Sequence, residues 1–229
     1  MTTTEAKLVK RPRIPTTYIV ALIPVAAALN IVGSTINAAL RLPTFLDMIG
    51  TAVVAMTLGP WWGALAGLIT NIGIAIIRNP VSLPFALCNM VGALVWGYGI
   101  RWKMGKSFGR LLILSMFVGF FVSLTAVPIY VLVFGGATGH FGDMLTATFV
   151  AMGQRLWVSV FSSNILVSFT DKIISTFVAL AILGALPKEL TSHLELVEQK
   201  NLKTVIWITL GIVVGIAALL FIMFTNIAG

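Results

Sequence analysis

Charge and cysteine are both scarce in this chain. Of 229 residues only 10% are Asp, Glu, Lys or Arg, and just 7 are acidic. Soluble domains carry about 25% charged residues, so a water-facing globular fold is excluded. The single cysteine, Cys88, excludes a disulfide framework and a cysteine-based metal site. The two histidines, His140 and His193, are expected on opposite sides of a membrane, so no metal constellation and no bound cofactor are expected. No nucleophile stands beside a base, and the length leaves no room for a separate soluble catalytic module. An enzyme is not expected.

What the chain has is apolar surface. It is 59% hydrophobic, with a mean hydropathy of +1.04. Such a composition demands a lipid solvent and reads as an all-α integral membrane protein. The formal charge of +8 is read as membrane topology and not as a nucleic-acid interface, because the basic residues fall between apolar runs.

Apolar length gives seven expected spans: Thr17–Leu40, Phe45–Leu58, Trp62–Ile77, Leu83–Ile100, Leu111–Phe134, Trp157–Leu186 and Val205–Ile227. The second has about 14 residues, or roughly 21 Å of helix against roughly 30 Å of hydrocarbon. It must thin the bilayer, lie within protein or extend through its flanks. The first is too long for a signal-peptide core. Lys7, Lys10, Arg11 and Arg13 precede span one. Arg101, Lys103, Lys106 and Arg110 lie between spans four and five, and Lys188, Lys200 and Lys203 follow span six. These three segments share a side if spans alternate, and that side is cytoplasmic. The expected organisation is a cytoplasmic N-terminus (1–16), a six-span membrane domain (17–186), a cytoplasmic connector (187–204) and an additional transmembrane helix (205–227). Leu190, Leu194 and Val197 fall at helical spacing, so the connector reads either as a helix lying on the membrane or as a solvated linker.

Polar residues inside the spans are not scattered. Residues 42–79 form an apolar hairpin, turned at Gly59-Pro60-Trp61-Trp62-Gly63, with Asp47 and Arg78 at its two far ends. Asn30, Ser34, Asn37 and Arg41 share one helix face, as do Asn164, Ser168, Asp171 and Ser175. Asp47 pairs with Thr51 at i+4, Asn71 with Arg78 at i+7, and Ser82, Phe85 and Asn89 form a further face. Five stripes biased to the outer half imply a shared outward-facing cavity. The candidate binding residues are Asn37, Arg41, Phe45, Asp47, Thr51, Asn71, Arg78, Asn79, Phe85, Asn89, Asn164, Ser168 and Asp171. The plainer reading stands beside this one. Asn and Ser in membrane helices often only bond across an interface, for about 0.6 kcal/mol, and Arg41 and Arg78 can snorkel to headgroups. Asp171 and Lys172 point about 100° apart on a helix, so each is expected to need its own partner. Function or a buried structural ion pair is favoured over lipid exposure for them.

Gly99–Ser107 imitates a phosphate-binding loop, but its spacing is off by one residue and a membrane helix, not a strand, precedes it. It reads as a basic cytoplasmic loop.

Leu46-Asp47-Met48-Ile49-Gly50-Thr51, the turn Leu58-Gly59-Pro60-Trp61-Trp62-Gly63-Ala64, Thr70-Asn71, Asn79-Pro80 with Pro84-Phe85-Ala86-Leu87, and Thr170-Asp171-Lys172-Ile173 carry a family resemblance. Over spans one to six the chain resembles the substrate-binding membrane subunits (S components) of energy-coupling factor (ECF) type ABC transporters. The resemblance implies a six-helix S-component-like bundle, here with an extra C-terminal span. It also implies an outer-half cavity for a vitamin or similar micronutrient. The partners it implies are a transmembrane coupling subunit and two ATPase subunits, which deliver the substrate inward. Arg41, Asp47 and Arg78 would sit at the cavity rim, with Asn37, Thr51, Asn71, Asn89, Asn164 and Asp171 deeper. The glycine-rich segment 135–155 reads as a flexible lid or an ordinary mobile loop. Such subunits usually carry an Ala-x-x-x-Ala docking pattern in span one, whereas the small-residue match here is Ser34/Ala38. A stand-alone transporter coupled to ions through Asp171, and a ligand-sensing membrane domain, are the alternatives.

Overall fold

The computed structural model describes residues 15–197 together with Gly211. The expected seventh span lies outside the described residues, Gly211 apart. So do the basic residues Lys7, Lys10, Arg11, Arg13, Lys200 and Lys203.

Among the described residues there is no strand and there are eight α-helices. They are α1 (Thr16–Leu40), α2 (Ile49–Thr57), α3 (Pro60–Ile77), α4 (Ala86–Arg101), α5 (Phe108–Phe134), α6 (Gly142–Ala151), α7 (Leu156–Ala185) and α8 (Lys188–Thr191). Four of them, α1, α3, α5 and α7, are long and apolar enough to cross a membrane. Their outward faces stay apolar: Val25, Ile76, Leu132 and Trp157 are exposed. In a membrane protein that surface meets lipid tails and costs nothing.

The second expected span is corrected. Only Ile49–Thr57, nine residues, is helical, and Phe45–Met48 is irregular backbone. The short helix solves its length problem by lying within protein, against α1, α3, α4 and α7. Every residue from Gly50 to Thr57 is buried, which explains why this segment is apolar all round. Gly59 then turns the chain with φ 113°, a conformation that suits glycine. Pro60 opens α3 at the position where a missing N–H costs nothing.

One end of the bundle is closed by the connector. Over residues 187–197 it packs against the bundle. Leu190 is buried, while Leu194, Leu196 and Val197 pack against the main core. Val197 N–H donates to the Gly105 carbonyl at 2.8 Å. Glu195 pairs with Lys103 at 3.3 Å and with Lys106. His193 Nε2 bonds the Thr57 carbonyl at 3.1 Å, stitching the connector to the end of α2.

Candidate functional site

The opposite end of the bundle is open. It holds a cavity of about 560 Å³, within the usual range of small-molecule sites. Its walls come from α1, the irregular 41–48 segment, α3, the turn before α4, α4, α5, α7 and the 138–144 cap. Of the thirteen candidates, all but Thr51 and Asp171 line it.

Those two lie behind the cavity wall. Thr51 is fully buried in a chain of side-chain hydrogen bonds. Asn30 Nδ2 donates to Thr51 Oγ1 at 2.9 Å and to Thr70 Oγ1 at 3.0 Å, while its Oδ1 accepts the Gly50 N–H at 2.6 Å. Thr51 Oγ1 in turn donates to Asn89 Oδ1 at 2.7 Å. Asn89 Nδ2 donates to Asn71 Oδ1 at 3.0 Å and to the Asp47 carbonyl at 3.2 Å. Asn71 continues to the Ser82 carbonyl at 2.9 Å. Thr51 therefore fixes α2 against its neighbours. Asn71 and Asn89 belong to both this chain and the cavity wall, with their amides already oriented.

Asp171 is also fully buried, and its oxygens are taken. Oδ1 accepts the backbone N–H of Phe45 at 2.9 Å and of Leu46 at 2.8 Å. Oδ2 pairs with Lys172. The expectation that neighbours 100° apart do not face each other fails here, since the long Lys172 side chain reaches Asp171 Oδ2. The carboxylate on α7 thus pins a stretch of chain that has left helical geometry. Leu46 itself sits at φ 54°, an uncommon conformation for a leucine. A Cβ on Gly33 would lie 2.2 Å from the Leu46 carbonyl oxygen, so α1 admits the segment only through a glycine. Non-helical backbone at membrane depth needs this kind of internal support.

Asp47 lines the cavity but lies deeper than expected. It is not a rim residue like Arg41 and Arg78, which are exposed. It is half-buried beneath them, and its Oδ1 is sealed from the surface without a hydrogen-bond partner. Its charged neighbours are Lys172, Asp171 and Arg78. Arg78 is itself directed by donation from Nη1 to the Ser34 carbonyl at 2.6 Å and to Ser34 Oγ at 3.2 Å. Asn79 stands exposed, accepting the Val81 N–H at 3.0 Å. Asn164 Oδ1 accepts from Ser168 Oγ at 3.2 Å on the α7 wall.

Sequence reasoning did not place His140, Tyr130 or Lys172 in the cavity wall, and the structure does. Lys172 is only 1% exposed yet reaches the wall, 5.6 Å from the Phe45 ring centre. The His140 ring stacks on Phe45 at 4.5 Å. Its Nδ1 accepts the Gly142 N–H at 3.1 Å, so Nε2 carries the proton and donates to the Thr44 carbonyl at 2.9 Å. Burial lowers the affinity of this imidazole for a second proton, against an opposing pull from the Thr44 carbonyl. Phe85 packs against Tyr130 and Phe134, forming a second aromatic group.

The 135–155 segment is partly helical. It contains α6, whose Asp143 carboxylate gathers three backbone N–H groups: Thr138 at 2.8 Å, Gly139 at 2.6 Å and His140 at 3.2 Å. Leu145 seats α6 against Val167 of α7. Gly135, Gly136, Gly139 and Gly153 turn the chain at the segment's corners with positive φ.

No family model matches the chain, and neither a curated protein nor a solved structure is significantly similar to it.

Proposed function

We propose that this chain is the substrate-binding membrane subunit of an ECF-type transporter. It takes a vitamin-sized micronutrient from the outer side and delivers it inward with an ATPase-driven partner complex. The observation that carries the reading is the cavity of about 560 Å³ at one end of the bundle. It has pre-oriented amides, aromatic walls and a partly helical cap, and its opposite end is closed by the connector. A small polar compound with some apolar surface suits such a lining. The basic turns at the closed end agree with a cytoplasmic placement of that end. The resemblance of Leu46–Thr51, Leu58–Ala64 and Thr170–Ile173 to S components supplies the partners: a coupling subunit and two ATPases. Asp171 has no free oxygen for a carried ion, so it lends no support to an ion-coupled carrier.

Affinity purification of the tagged full chain from its native membranes tests the reading. Co-purification of a membrane coupling protein with two ATPases is expected. Uptake in vesicles that hold this chain alone, abolished by ionophores, would overturn it.

A further inference from the structure

The charged side chains in the cavity wall are Arg41, Arg78, Lys172, Asp47 and Asp143. The protein itself engages most of them. Lys172 is committed to Asp171, and Asp143 gathers three backbone N–H groups of the cap. Asp47 has its Oδ1 sealed from the surface. The two arginines differ. Both are exposed at the rim, and among the described residues neither lies within ion-pair distance of a carboxylate.

Arg78 is nevertheless held in place. Its Nη1 donates to the Ser34 carbonyl at 2.6 Å and to Ser34 Oγ at 3.2 Å. This anchors one edge of the guanidinium to α1 and leaves its other N–H groups without an acceptor among the described residues. Arg41 follows Ser34 by seven residues, two turns on, at the end of the same helix. Asn37 lies between them on that face and is buried. Its Oδ1 accepts the Thr44 hydroxyl at 2.7 Å, which turns Nδ2 toward His140 Nε2 at 3.5 Å. That imidazole nitrogen carries the proton, so it offers the amide no acceptor. The α1 side of the cavity is thus a row of donors in need of an acceptor. Apolar surface adjoins it, in the stacked Phe45–His140 pair and in Phe85 with Tyr130.

We infer that the ligand of this cavity carries a carboxylate on a ring-sized apolar body, and presents that carboxylate to Arg41 and Arg78. The inference rests on the reading of the cavity as a substrate site and goes further by naming the ligand's charge and the residues that select it. A planar guanidinium matches a carboxylate with two parallel charge-assisted bonds. Because Ser34 already orients Arg78, less side-chain freedom is lost when the ligand arrives. The rival acceptor is a lipid headgroup phosphate, which arginines at a membrane edge can reach by snorkelling.

The test uses the full chain and three probes that share one ring and one chain length: 3-phenylpropionate, 3-phenylpropanol and 3-phenylpropylamine. Binding is read by saturation-transfer NMR in dodecyl maltoside micelles, which hold no anionic group, and in phosphatidylcholine nanodiscs, each corrected with its empty counterpart. In both, 3-phenylpropionate is expected to bind about tenfold more tightly than the alcohol or the amine, as hydrogen bonds to a charged group imply. That preference should shrink as salt is raised, because the arginines are exposed. Arg41→Gln combined with Arg78→Gln is expected to abolish it while leaving the gel-filtration profile unchanged. Equal binding of the three, a preference for the amine, or a carboxylate preference that survives the double substitution would overturn the inference while leaving the cavity a binding site. A preference present in micelles and absent in nanodiscs would assign the arginines to headgroup phosphates and overturn it as well. Absence of binding by every probe would overturn the cavity reading itself. Should the double variant not fold, the ranking of the three probes on the wild-type chain and its salt dependence still decide.

Discussion

Two aspartates sit within one small region of this molecule and are treated in opposite ways. Around Asp171, on α7, every oxygen has a partner, and the carboxylate holds the Phe45–Leu46 backbone and neutralises Lys172. Around Asp47, one residue beyond Leu46, the same kind of group keeps an oxygen without any partner. The first arrangement is what a fold needs when backbone leaves its helix inside an apolar body. The second costs a fold free energy. The two acids differ in their partners, although both are acidic residues in apolar sequence.

The sharpest way to break the comparison is to remove Asp171. Asp171→Ala strands Lys172 and frees two backbone N–H groups, so a loss of about 3 to 5 kcal/mol is expected. The measurement is thermal unfolding in detergent, or loss of folded yield. Gly33→Val should be nearly as harmful, about 1 to 3 kcal/mol or more, because its branches would press on the Leu46 carbonyl. Circular dichroism melts would show it. Thr51→Val should cost about 1 to 3 kcal/mol, by leaving Asn89 Oδ1 without its donor. Uptake per folded molecule should stay unchanged, and a selective loss of uptake would return Thr51 to the site. Asp47→Asn should raise stability by about 1 kcal/mol or more, because it removes the charge from a group with a buried, unpartnered oxygen. If it destabilised the chain as Asp171→Ala does, the two acids would not differ in kind.

The smallest expected effect concerns His140. Its proton affinity is lowered by burial from the ordinary value of 6.5. The unfolded chain therefore binds a proton near that pH while the folded chain does not. Stability is fully present above about pH 6.5 and declines as pH falls below it, until the folded imidazole also titrates. Melting temperatures between pH 5 and pH 8 should show this slope, and His140→Gln should flatten it.

The long helices were legible because length and apolarity are local properties. The expected Thr17–Leu40, Trp62–Ile77, Leu111–Phe134 and Trp157–Leu186 lie within three residues of α1, α3, α5 and α7 at every end. The polar stripes also pointed correctly inward: Asn30, Ser34 and Asn37 on α1, and Asn164, Ser168, Asp171 and Ser175 on α7, are all buried. Three features were not legible. Residues 45–48 read as helix, since nothing in Phe-Leu-Asp-Met announces the left-handed turn at Leu46, which long-range bonds from Asp171 impose. The Asp171–Lys172 pair was hidden because helical angles describe where side chains start, not where a long lysine ends. The connector periodicity of Leu190, Leu194 and Val197 fits a membrane surface or a protein surface equally well, and its contacts with the Gly105 carbonyl, Lys103 and Lys106 are long-range ones that no local pattern announces.

The Asp143 clasp has a consequence for timing. Fixing a residue's backbone costs about 1 to 2 kcal/mol, and Thr138, Gly139 and His140 are fixed by the protein's own carboxylate. A ligand arriving at the cavity meets a cap that is already shaped and need not wait for a loop to freeze around it. Association should then follow simple one-step kinetics, without the slow second phase typical of a disordered flap. Asp143→Ala should bring that phase into view by letting the cap loosen, with residence time shortened more than arrival is slowed.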